Sequence, residues 1–273
     1  MARHAKTQRI IDEAHEILAE HNPMTVRQVY YQLVSRQVLK NNRSQYQSVS
    51  NALVKARQEG LIPWEWIEDR LRRPRCVSMW DDLAEFSKTA ASAYRREVWE
   101  GQPCYIEYWL EKDALSGIFE EILEPYGVTL NVGRGYDGWS SIRNAAGRFD
   151  ERWNVAILYF GDFDPSGEDM VRSLRKRLAF FLSCPEIVKC ALTAEDIARY
   201  DLPPDFAKKT DTRTPKFIAE HGDVSVELDA LPVDVLRERI EREISVRMDL
   251  AALANVRKVE SRERQQIVTG ITR

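Results

Sequence analysis

Two aspartates one residue apart follow an apolar run in the middle of the chain, and their side chains could do chemistry together. The run Val155 to Phe160 stops at GDFDPSG, residues 161–167, which places Asp162 and Asp164 directly after it. Carboxylates this close repel one another, and a bound divalent cation would offset that repulsion. Asp is also a common helix N-cap and Pro suits a first helical turn. Taken alone, the stretch therefore favours the plain start of a helix.

A third carboxylate, Glu111, follows another apolar run, which spans residues 104–110. Parallel α/β proteins bind ligands at the carboxyl ends of their strands, so acidic residues that end two neighbouring strands would meet at one edge. Carboxylate oxygens with little nitrogen or sulfur nearby suit Mg²⁺ or Mn²⁺, and such an ion can hold a phosphodiester. Glu111, Asp162 and Asp164 together therefore predict a metal site, with Mg²⁺ as the expected ion and Mn²⁺ as the alternative.

The elements that must position these carboxylates are predicted from short apolar runs that alternate with helical stretches. Runs rich in β-branched and aromatic residues are found at residues 104–110, 128–132, 154–160 and 187–192. This alternation is typical of a parallel-sheet α/β unit. The chain beyond it is expected to be helical again, because Leu236, Ile240 and Ile244 recur at every fourth position.

The first 75 residues predict three short helices separated by polar turns. The first helix, residues 7–21, has an apolar face made of Ile10, Ile11, Ala14, Ile17 and Leu18. Thr25, with Gln28 three residues later, forms a capping-box pattern at the start of the second helix. Ser44 and Gln47 repeat that pattern at the start of the third helix, which is basic. Three such helices indicate a helix-turn-helix or winged-helix module.

The expected fold class is therefore α/β plus mostly α, in four parts. These are a helix-turn-helix, winged-helix-like DNA-binding domain (1–75), a helical linker (76–102), an α/β domain with a parallel sheet (103–205) and a helical C-terminal extension (206–273). Residues 1–75 contain 13 Lys+Arg against 8 Asp+Glu, a net charge of +5, which leaves −8 for the remainder. A basic front and an acidic back suit a phosphate-facing part and a carboxylate-rich part.

Composition narrows the class of protein further. Hydrophobic residues make up 44% and charged residues 30%, as expected of a soluble globular chain. No apolar run approaches the roughly 18 residues of a membrane-spanning helix, and the first 20 residues lack the apolar core of a secretory signal. The four cysteines form no CxxC pair, which favours reduced thiols. We therefore expect a cytoplasmic protein that does not associate with membranes.

The acidic motifs resemble those of a known domain family. The Glu-Lys pair after the first predicted strand and the Asp-x-Asp motif after a later one resemble the Toprim domain of topoisomerases and primases. GDFDPSG is most similar to the motif of the topoisomerase VI A subunit and of the related transesterase that makes meiotic double-strand breaks. The Toprim-like region covers about residues 103–192, and the tail that contains ELDALPVDVLRERI is similar to sequences downstream of Toprim in those proteins. The resemblance implies a Toprim-type fold and Mg²⁺ held by Glu111, Asp162 and Asp164.

The same resemblance implies a nucleophilic tyrosine upstream, in a winged-helix domain and four residues after an arginine. The stretch TVRQVYY, residues 25–31, carries this pattern in Arg27 and Tyr31. A tyrosine that attacks a phosphodiester becomes covalently joined to a DNA end, which preserves the bond energy for resealing. Because an ordinary tyrosine has a pKa of about 10, Arg27 and a metal would have to stabilise the phenolate and the phosphorus centre. The neighbouring Tyr30 is interpreted as a core residue.

Basic residues that could contact DNA phosphates are found in both predicted domains. Arg43, Lys55 and Arg57 fit a helix that faces the DNA backbone, although exposed helices commonly carry such residues. Arg134 lies in GRGYDG, residues 133–138, which matches a dinucleotide-binding pattern but follows the second strand rather than the first. We interpret that stretch as a turn near the metal edge, with Arg134 as a further phosphate contact.

The resemblance also implies partners: double-stranded DNA, a second copy of the chain, and a separate ATPase subunit for strand passage. In the family, the tyrosine and the metal of one site come from different protomers of a homodimer. The function expected from the residues and the resemblance is Mg²⁺-dependent DNA cleavage by tyrosine transesterification. Two alternatives stay open, namely a Toprim nuclease in which water attacks the phosphodiester, and a DNA-binding protein of the same fold without catalysis.

Overall fold

A four-stranded parallel sheet lies at the centre of the chain in a computed structural model that describes residues 5–68, 77–133, 138–149, 154–181, 183–204 and 213–271. Its strands are β1 (Tyr105–Leu110), β2 (Thr129–Val132), β3 (Val155–Phe160) and β4 (Glu186–Ala191). They lie in the order β2-β1-β3-β4, and every neighbouring pair is parallel. The four predicted strands and the mixed α/β class are thus confirmed.

The described helices are α1 (Ala5–His21), α2 (Val26–Ser35), α3 (Arg43–Gln58), α4 (Leu83–Ala93), α5 (Ser116–Leu123), α6 (Trp139–Phe149), α7 (Pro165–Phe180), α8 (Ala194–Tyr200), α9 (Thr214–His221), α10 (Val233–Arg247) and α11 (Leu250–Ile271). Among the described residues, no helix has both the length and the apolar character needed to cross a membrane.

Strands β1 and β3 form the middle of the sheet, and all their residues are buried. Both strands read as continuous apolar and aromatic runs, because helices cover both faces of a parallel sheet. On one face, the Tyr108 hydroxyl donates a 2.8 Å hydrogen bond to the Ile240 carbonyl of α10. On the other face, Arg148 of α6 pairs with the fully buried Glu107. Leu110 pairs with Phe160, so β1 and β3 end at the same level along the carboxyl edge of the sheet.

The N-terminal module consists of α1, α2 and α3, and the predicted apolar face of α1 is buried. The capping box at Thr25 is formed as predicted, since its side chain accepts from the Gln28 N–H and the Gln28 side chain accepts from the Thr25 N–H. The prediction that Ser44 caps the third helix was wrong. Asn42 is the N-cap of α3 and accepts from the Gln45 N–H at 2.9 Å.

Within residues 5–68 the structure contains no β-hairpin that could serve as a wing. Apart from the three helices, this part holds a 3-10 turn at Trp64–Trp66 and a single bridge between Met24 and Ile67. The Met24 N–H donates to the Trp66 carbonyl at 3.0 Å, and the Met24 carbonyl accepts from the Glu68 N–H at 3.1 Å. The described module is therefore a unit of three helices in which the segment around Ile67 pairs with Met24, just before α2.

The predicted helical linker and the C-terminal extension pack against each other. Helix α4 lies along α11, and the chain after α4 is fixed to α11 by polar contacts. The Tyr94 hydroxyl donates to Glu263 at 2.8 Å, and the Arg96 N–H donates to Glu260 at 2.7 Å. Glu260 is buried and is also paired with Arg257 and Arg264. These contacts tie the end of the chain to the segment that leads into β1.

Candidate active site at the tips of β1 and β3

Glu111 and Asp162 lie side by side where β1 and β3 end. The Glu111 Oε2 atom accepts hydrogen bonds from the Asp162 N–H at 3.1 Å and from the Tyr159 hydroxyl at 3.0 Å. Gly161 makes this approach possible, because a Cβ at that position would lie 2.5 Å from Glu111 Oε2 and 2.4 Å from the Tyr159 oxygen. The register of the sheet thus brings the Glu111 carboxylate to the backbone of Asp162, which the sequence placed at a separate strand end.

Asp164 is the N-cap of α7, and Pro165 occupies the first position of that helix. The Asp164 Oδ1 atom accepts from the Gly167 N–H at 2.7 Å, which satisfies one of the free donors of the first turn. A Cβ on Gly167 would lie 2.1 Å from the Asp162 carbonyl oxygen, so the glycine lets the helix start close to the strand end. The capping interpretation of GDFDPSG is therefore correct, and it uses one of the two Asp164 oxygens.

The segment that follows α9 closes over these carboxylates. Phe163 and Val226 form an antiparallel bridge, with backbone hydrogen bonds of 2.9 Å in both directions. Two residues after Val226, the Leu228 N–H donates to Asp162 Oδ1 at 2.8 Å. These contacts hold Glu227 and Asp229, on either side of Leu228, against the tip of β3.

Lys112 connects the strand tips to this segment. Its ammonium lies 3.0 Å from Asp162 Oδ1, 2.9 Å from Glu227 Oε2 and 2.8 Å from Asp229 Oδ2. We call these four residues, Lys112, Asp162, Glu227 and Asp229, the Lys112 cluster. Asp229 has a fully buried side chain, and the side chains of Lys112 and Asp162 are each only 14% exposed. A buried cation thus offsets the repulsion among three carboxylates.

Helix α2 brings Arg27 and Tyr31 to the same cluster. Arg27 forms a very short hydrogen bond to Glu227 Oε2, and its Nε lies 3.7 Å from Asp229 Oδ2. Glu227 lies close enough to the Tyr31 hydroxyl for each group to shift the pKa of the other, and Lys112 Nζ lies 6.0 Å from the centroid of the Tyr31 ring. Gln32 and Ser35 fasten α2 to the Leu231 and Ala230 carbonyls. One chain therefore places the tyrosine beside the Lys112 cluster, which contains Asp162.

The charges in this region shift the pKa of several groups. Burial raises the pKa of Asp162 to about 7, although Lys112 acts in the opposite direction. Burial raises the pKa of Glu227, but Lys112, Tyr31 and Arg27 outweigh it and lower that pKa to about 2. Burial and the neighbouring Glu227 carboxylate raise the pKa of Tyr31 far above its usual range. In this arrangement Tyr31 is protonated and Glu227 is ionised.

The carboxylate oxygens at the strand tips are of the chemical type that binds a hard divalent cation. For each of Glu111, Asp162 and Asp164, one carboxylate oxygen is bonded within the protein, and the other has no hydrogen-bond partner among the described residues. The buried Asp229 Oδ1 atom likewise lacks a partner among the described residues. Oxygen-only sets of this type are those preferred by Mg²⁺.

The three predicted metal ligands do not converge as tightly as a formed metal centre. Across the described parts of the chain, one group of three has ligand atoms that all lie within 4.8 Å of one another, and it consists of Glu20, His21 and Asp234. That group joins the end of α1 to the start of α10, where Glu20 and Asp234 are exposed. The sequence did not predict it, because it brings together residues more than 200 positions apart.

The remaining predicted residues lie in different places. Tyr30 is buried, and its hydroxyl accepts from the Asn42 N–H at 2.8 Å, in keeping with a core role. Arg43 is exposed at the first position of α3, and Lys55 is exposed near its last turn. Arg57 packs over the Trp64 ring at 4.8 Å. Arg134 lies outside the described residues.

Lys112, Glu227 and Asp229 were not predicted as functional residues. The sequence offers only the Glu-Lys pair and two carboxylates in VELDAL, whose spacing is equally typical of a helix start or a packing feature. Lys112 and Asp229 are separated by 117 positions, so no local spacing could indicate their contact. Set against protein-family models and the curated proteins, the chain matches no family model and no curated protein, so the assignment of this site rests on its own geometry.

Proposed function

We propose that the protein is a Mg²⁺-dependent, topoisomerase VI A-like tyrosine transesterase that cleaves double-stranded DNA. The observation that supports this most is the Lys112 cluster, which joins the candidate nucleophile to the candidate metal carboxylates. Tyr31 and Arg27 contact Glu227, Glu227 contacts Lys112, and Lys112 contacts Asp162. A tyrosine, an arginine and strand-tip carboxylates are the groups that phosphodiester transesterification requires.

In the proposed reaction, the Tyr31 oxygen attacks the phosphorus of a DNA phosphodiester. The Tyr31 hydroxyl gives up its proton to water as a bond forms between its oxygen and phosphorus, the bond from phosphorus to one deoxyribose oxygen breaks, and the leaving oxygen takes up a proton. Glu227 is placed to orient the Tyr31 hydroxyl, and Arg27 is placed to donate to a non-bridging phosphate oxygen. Because the low pKa of Glu227 makes it a weak base, it does not take the Tyr31 proton, and the nearby Arg27 and Lys112 are the groups that favour the phenolate.

The metal belongs to the other half of the site. Glu111, Asp162 and Asp164 would hold Mg²⁺, which supplies positive charge to stabilise the phosphate oxygens. Lys112 keeps Asp162 in place beside Glu227. We propose that each protomer of a homodimer carries its own complete site and cuts one strand, and that strand passage would need a separate ATPase subunit.

Replacing Tyr31 by Phe tests the proposal, because it removes the nucleophilic oxygen and leaves the ring. The wild-type protein, incubated with supercoiled DNA and Mg²⁺ and then denatured with detergent, should leave protein covalently attached to DNA ends. Tyr31→Phe should give no adduct and at least a hundredfold less cleavage. Tyr200→Phe is the matched control, because it removes a hydroxyl from a partly buried ring of α8 that lies outside the Lys112 cluster. That control should retain the adduct.

A second candidate function, a nuclease in which water attacks the phosphodiester, is favoured by the burial of Tyr31, which is only 7% exposed. In that case metal-dependent cutting would survive Tyr31→Phe, and no adduct would form with either protein. DNA binding without any cutting in Mg²⁺ or Mn²⁺, unchanged by Asp162→Asn, would leave only a non-catalytic DNA-binding role.

A further inference from the structure

A cavity of about 170 Å³ opens beside Tyr31, between α2 and the start of α3. Its walls are Arg27, Tyr30, Tyr31, Asn41, Asn42, Arg43 and Tyr46. We propose that this cavity binds one nucleotide of the DNA strand next to the cleaved bond, with its phosphate between Arg27 and Arg43 and its base against Tyr46. This inference rests on the proposed function, since it assigns the position of the substrate relative to Tyr31.

The charge of the cavity suits a phosphate. Both charged residues that line it are arginines, and no carboxylate is among its described lining residues. Arg43 is exposed and has no ion-pair partner in the described chain. Arg27 is held by Glu227 from the side of the Lys112 cluster, so its position is fixed while its side chain stays 45% exposed. An arginine without a carboxylate partner presents free donors to a phosphate.

The rings that line the cavity suit a base or sugar. Tyr30 packs edge-on against both Tyr31 and Tyr46, with ring centroids 5.2 and 5.3 Å apart. The Tyr46 hydroxyl has no hydrogen-bond partner within the described residues, in contrast to the Tyr30 hydroxyl. Aromatic faces bind bases of any sequence by stacking.

The cavity is preformed, and its size limits what it can hold. The Tyr30 hydroxyl accepts from the Asn42 N–H and donates within the 40–42 loop, which fixes the wall opposite α2. Since a water molecule takes up about 30 Å³ of liquid, the volume corresponds to about five or six waters. That space accepts a phosphate with part of its sugar or base, but not a stacked base pair.

Equilibrium binding tests the cavity without any cleavage. A fluorescein-labelled DNA duplex would be titrated with Tyr31→Phe protein in the presence of a chelator, and its fluorescence anisotropy followed over a range of salt concentrations. Adding Arg43→Ala should weaken binding and lower the slope of log affinity against log salt by about one, as expected for one lost phosphate contact. Adding Tyr46→Ala should weaken binding about tenfold and leave the slope unchanged.

The control is Lys88→Ala, since Lys88 is an exposed cation on α4 and lies outside the cavity lining. If Arg43→Ala and Tyr46→Ala bind as tightly as the Lys88 control, the cavity assignment is wrong, while DNA binding and cleavage by Tyr31 could still hold. If the parent protein binds no DNA at all, the proposed function fails as well. Arg43 is exposed, so its substitution should leave the fold intact and keep the test valid should Tyr46→Ala prove unstable.

The base contact has a direct readout of its own. DNA that carries 5-iodouracil next to the cleaved bond should crosslink on irradiation to Tyr46 or Tyr30, as identified by mass spectrometry of the digested protein. Crosslinks confined to residues outside the cavity would contradict the assignment of the base, even if Arg43 contributes to affinity.

Discussion

Glu227 is the residue through which the two halves of the candidate site interact. It accepts from Arg27 on the helical side, where Tyr31 also lies close enough to affect its pKa, and from Lys112 on the strand side. Its side chain is 28% exposed, so these charged hydrogen bonds are only partly screened by water. The low pKa of Glu227 shows that the folded protein favours its ionised form. The same residue therefore supports both the stability of the fold and the orientation of Tyr31.

Glu227→Gln should lower the free energy of unfolding at pH 7 by up to about 3 kcal/mol, because the pKa falls from an ordinary value of 4.5 to about 2. A carboxyl whose pKa is lowered by folding stabilises the protein above pH 4.5, and this contribution disappears as the pH falls towards 2. The difference between variant and wild type should therefore shrink over that interval in urea denaturation curves.

Glu238→Gln provides the comparison, because Glu238 is an exposed residue of α10 that forms no ion pair with another described residue. Its unfolding free energy should stay within about 0.5 kcal/mol of wild type at every pH. A difference for Glu227→Gln that stays constant between pH 7 and pH 2 would show that the carboxylate charge is not the source of the stability.

At the scale of elements, the turn from β3 into α7 combines a structural and a chemical role in one short stretch. Asp162 ends the strand, Asp164 caps the helix, and Gly161 and Gly167 allow backbone and side chains to approach closely. Asp164 uses Oδ1 for the cap, while Oδ2 has no hydrogen-bond partner within the described residues. The cap and the predicted metal ligand can therefore be separated by substitution.

Asp164→Asn should retain stability, because Asn caps helices about as well as Asp, whereas Asp164→Ala should cost about 1 kcal/mol. Both variants should lose most Mg²⁺-dependent cleavage, because neither an amide nor a methyl group replaces a carboxylate on Mg²⁺. Urea denaturation would measure the first effect, and a Mg²⁺ titration of supercoiled DNA cleavage the second. Wild-type cleavage by Asp164→Asn would mean that Asp164 serves only as a cap.

The elements that could be predicted from the sequence are those determined by local patterns. The four strands, the buried face of α1 and the capping box at Thr25 all follow from residues within a few positions of one another. The cap of α3 was misassigned to Ser44, because Asn and Ser are both good N-caps and stand two residues apart in this turn. Composition alone does not decide between such neighbours.

The candidate site was predicted only in part, for a reason that its residues make clear. Glu111 and Asp162 were expected to meet because both end predicted strands of one parallel sheet, and they do. No role was predicted for Lys112 or Glu227. Their contact depends on how the segment after α9 folds back onto β3 through Phe163 and Val226, which no periodicity in the sequence encodes.

On the scale of the whole molecule, the N-terminal module and the sheet edge meet within one chain. Helix α2 packs against the turns at Asp113–Leu115 and Leu228–Ala230, and Arg27 and Tyr31 lie in that contact. The resemblance to topoisomerase VI implies instead that the tyrosine and the metal carboxylates of one site come from two protomers. The arrangement seen here needs only one chain.

Mixing two inactive variants distinguishes these arrangements. Tyr31→Phe and Asp162→Asn each inactivate one half of the site, so a mixture should stay inactive if every site is built from one chain. Cleavage of supercoiled DNA would be measured after the two proteins are unfolded and refolded together. Differently tagged copies should show by co-purification that mixed dimers form. Cleavage restored to about a quarter of the wild-type level would instead place the two halves on different protomers.

Lys112 is shared between the metal side and the nucleophile side, and this makes the two sides thermodynamically linked. Its ammonium neutralises Asp162 on one side and Glu227 and Asp229 on the other. Any change of charge at Asp162 alters how strongly Lys112 is held by Glu227, and hence how firmly Glu227 holds Tyr31. Linkage of this kind is reciprocal, so a phosphate that engages Arg27 must change cation affinity at Asp162 by the same factor. Through Lys112, binding of the substrate would then change the affinity for the cation, and binding of the cation would change the affinity for the substrate.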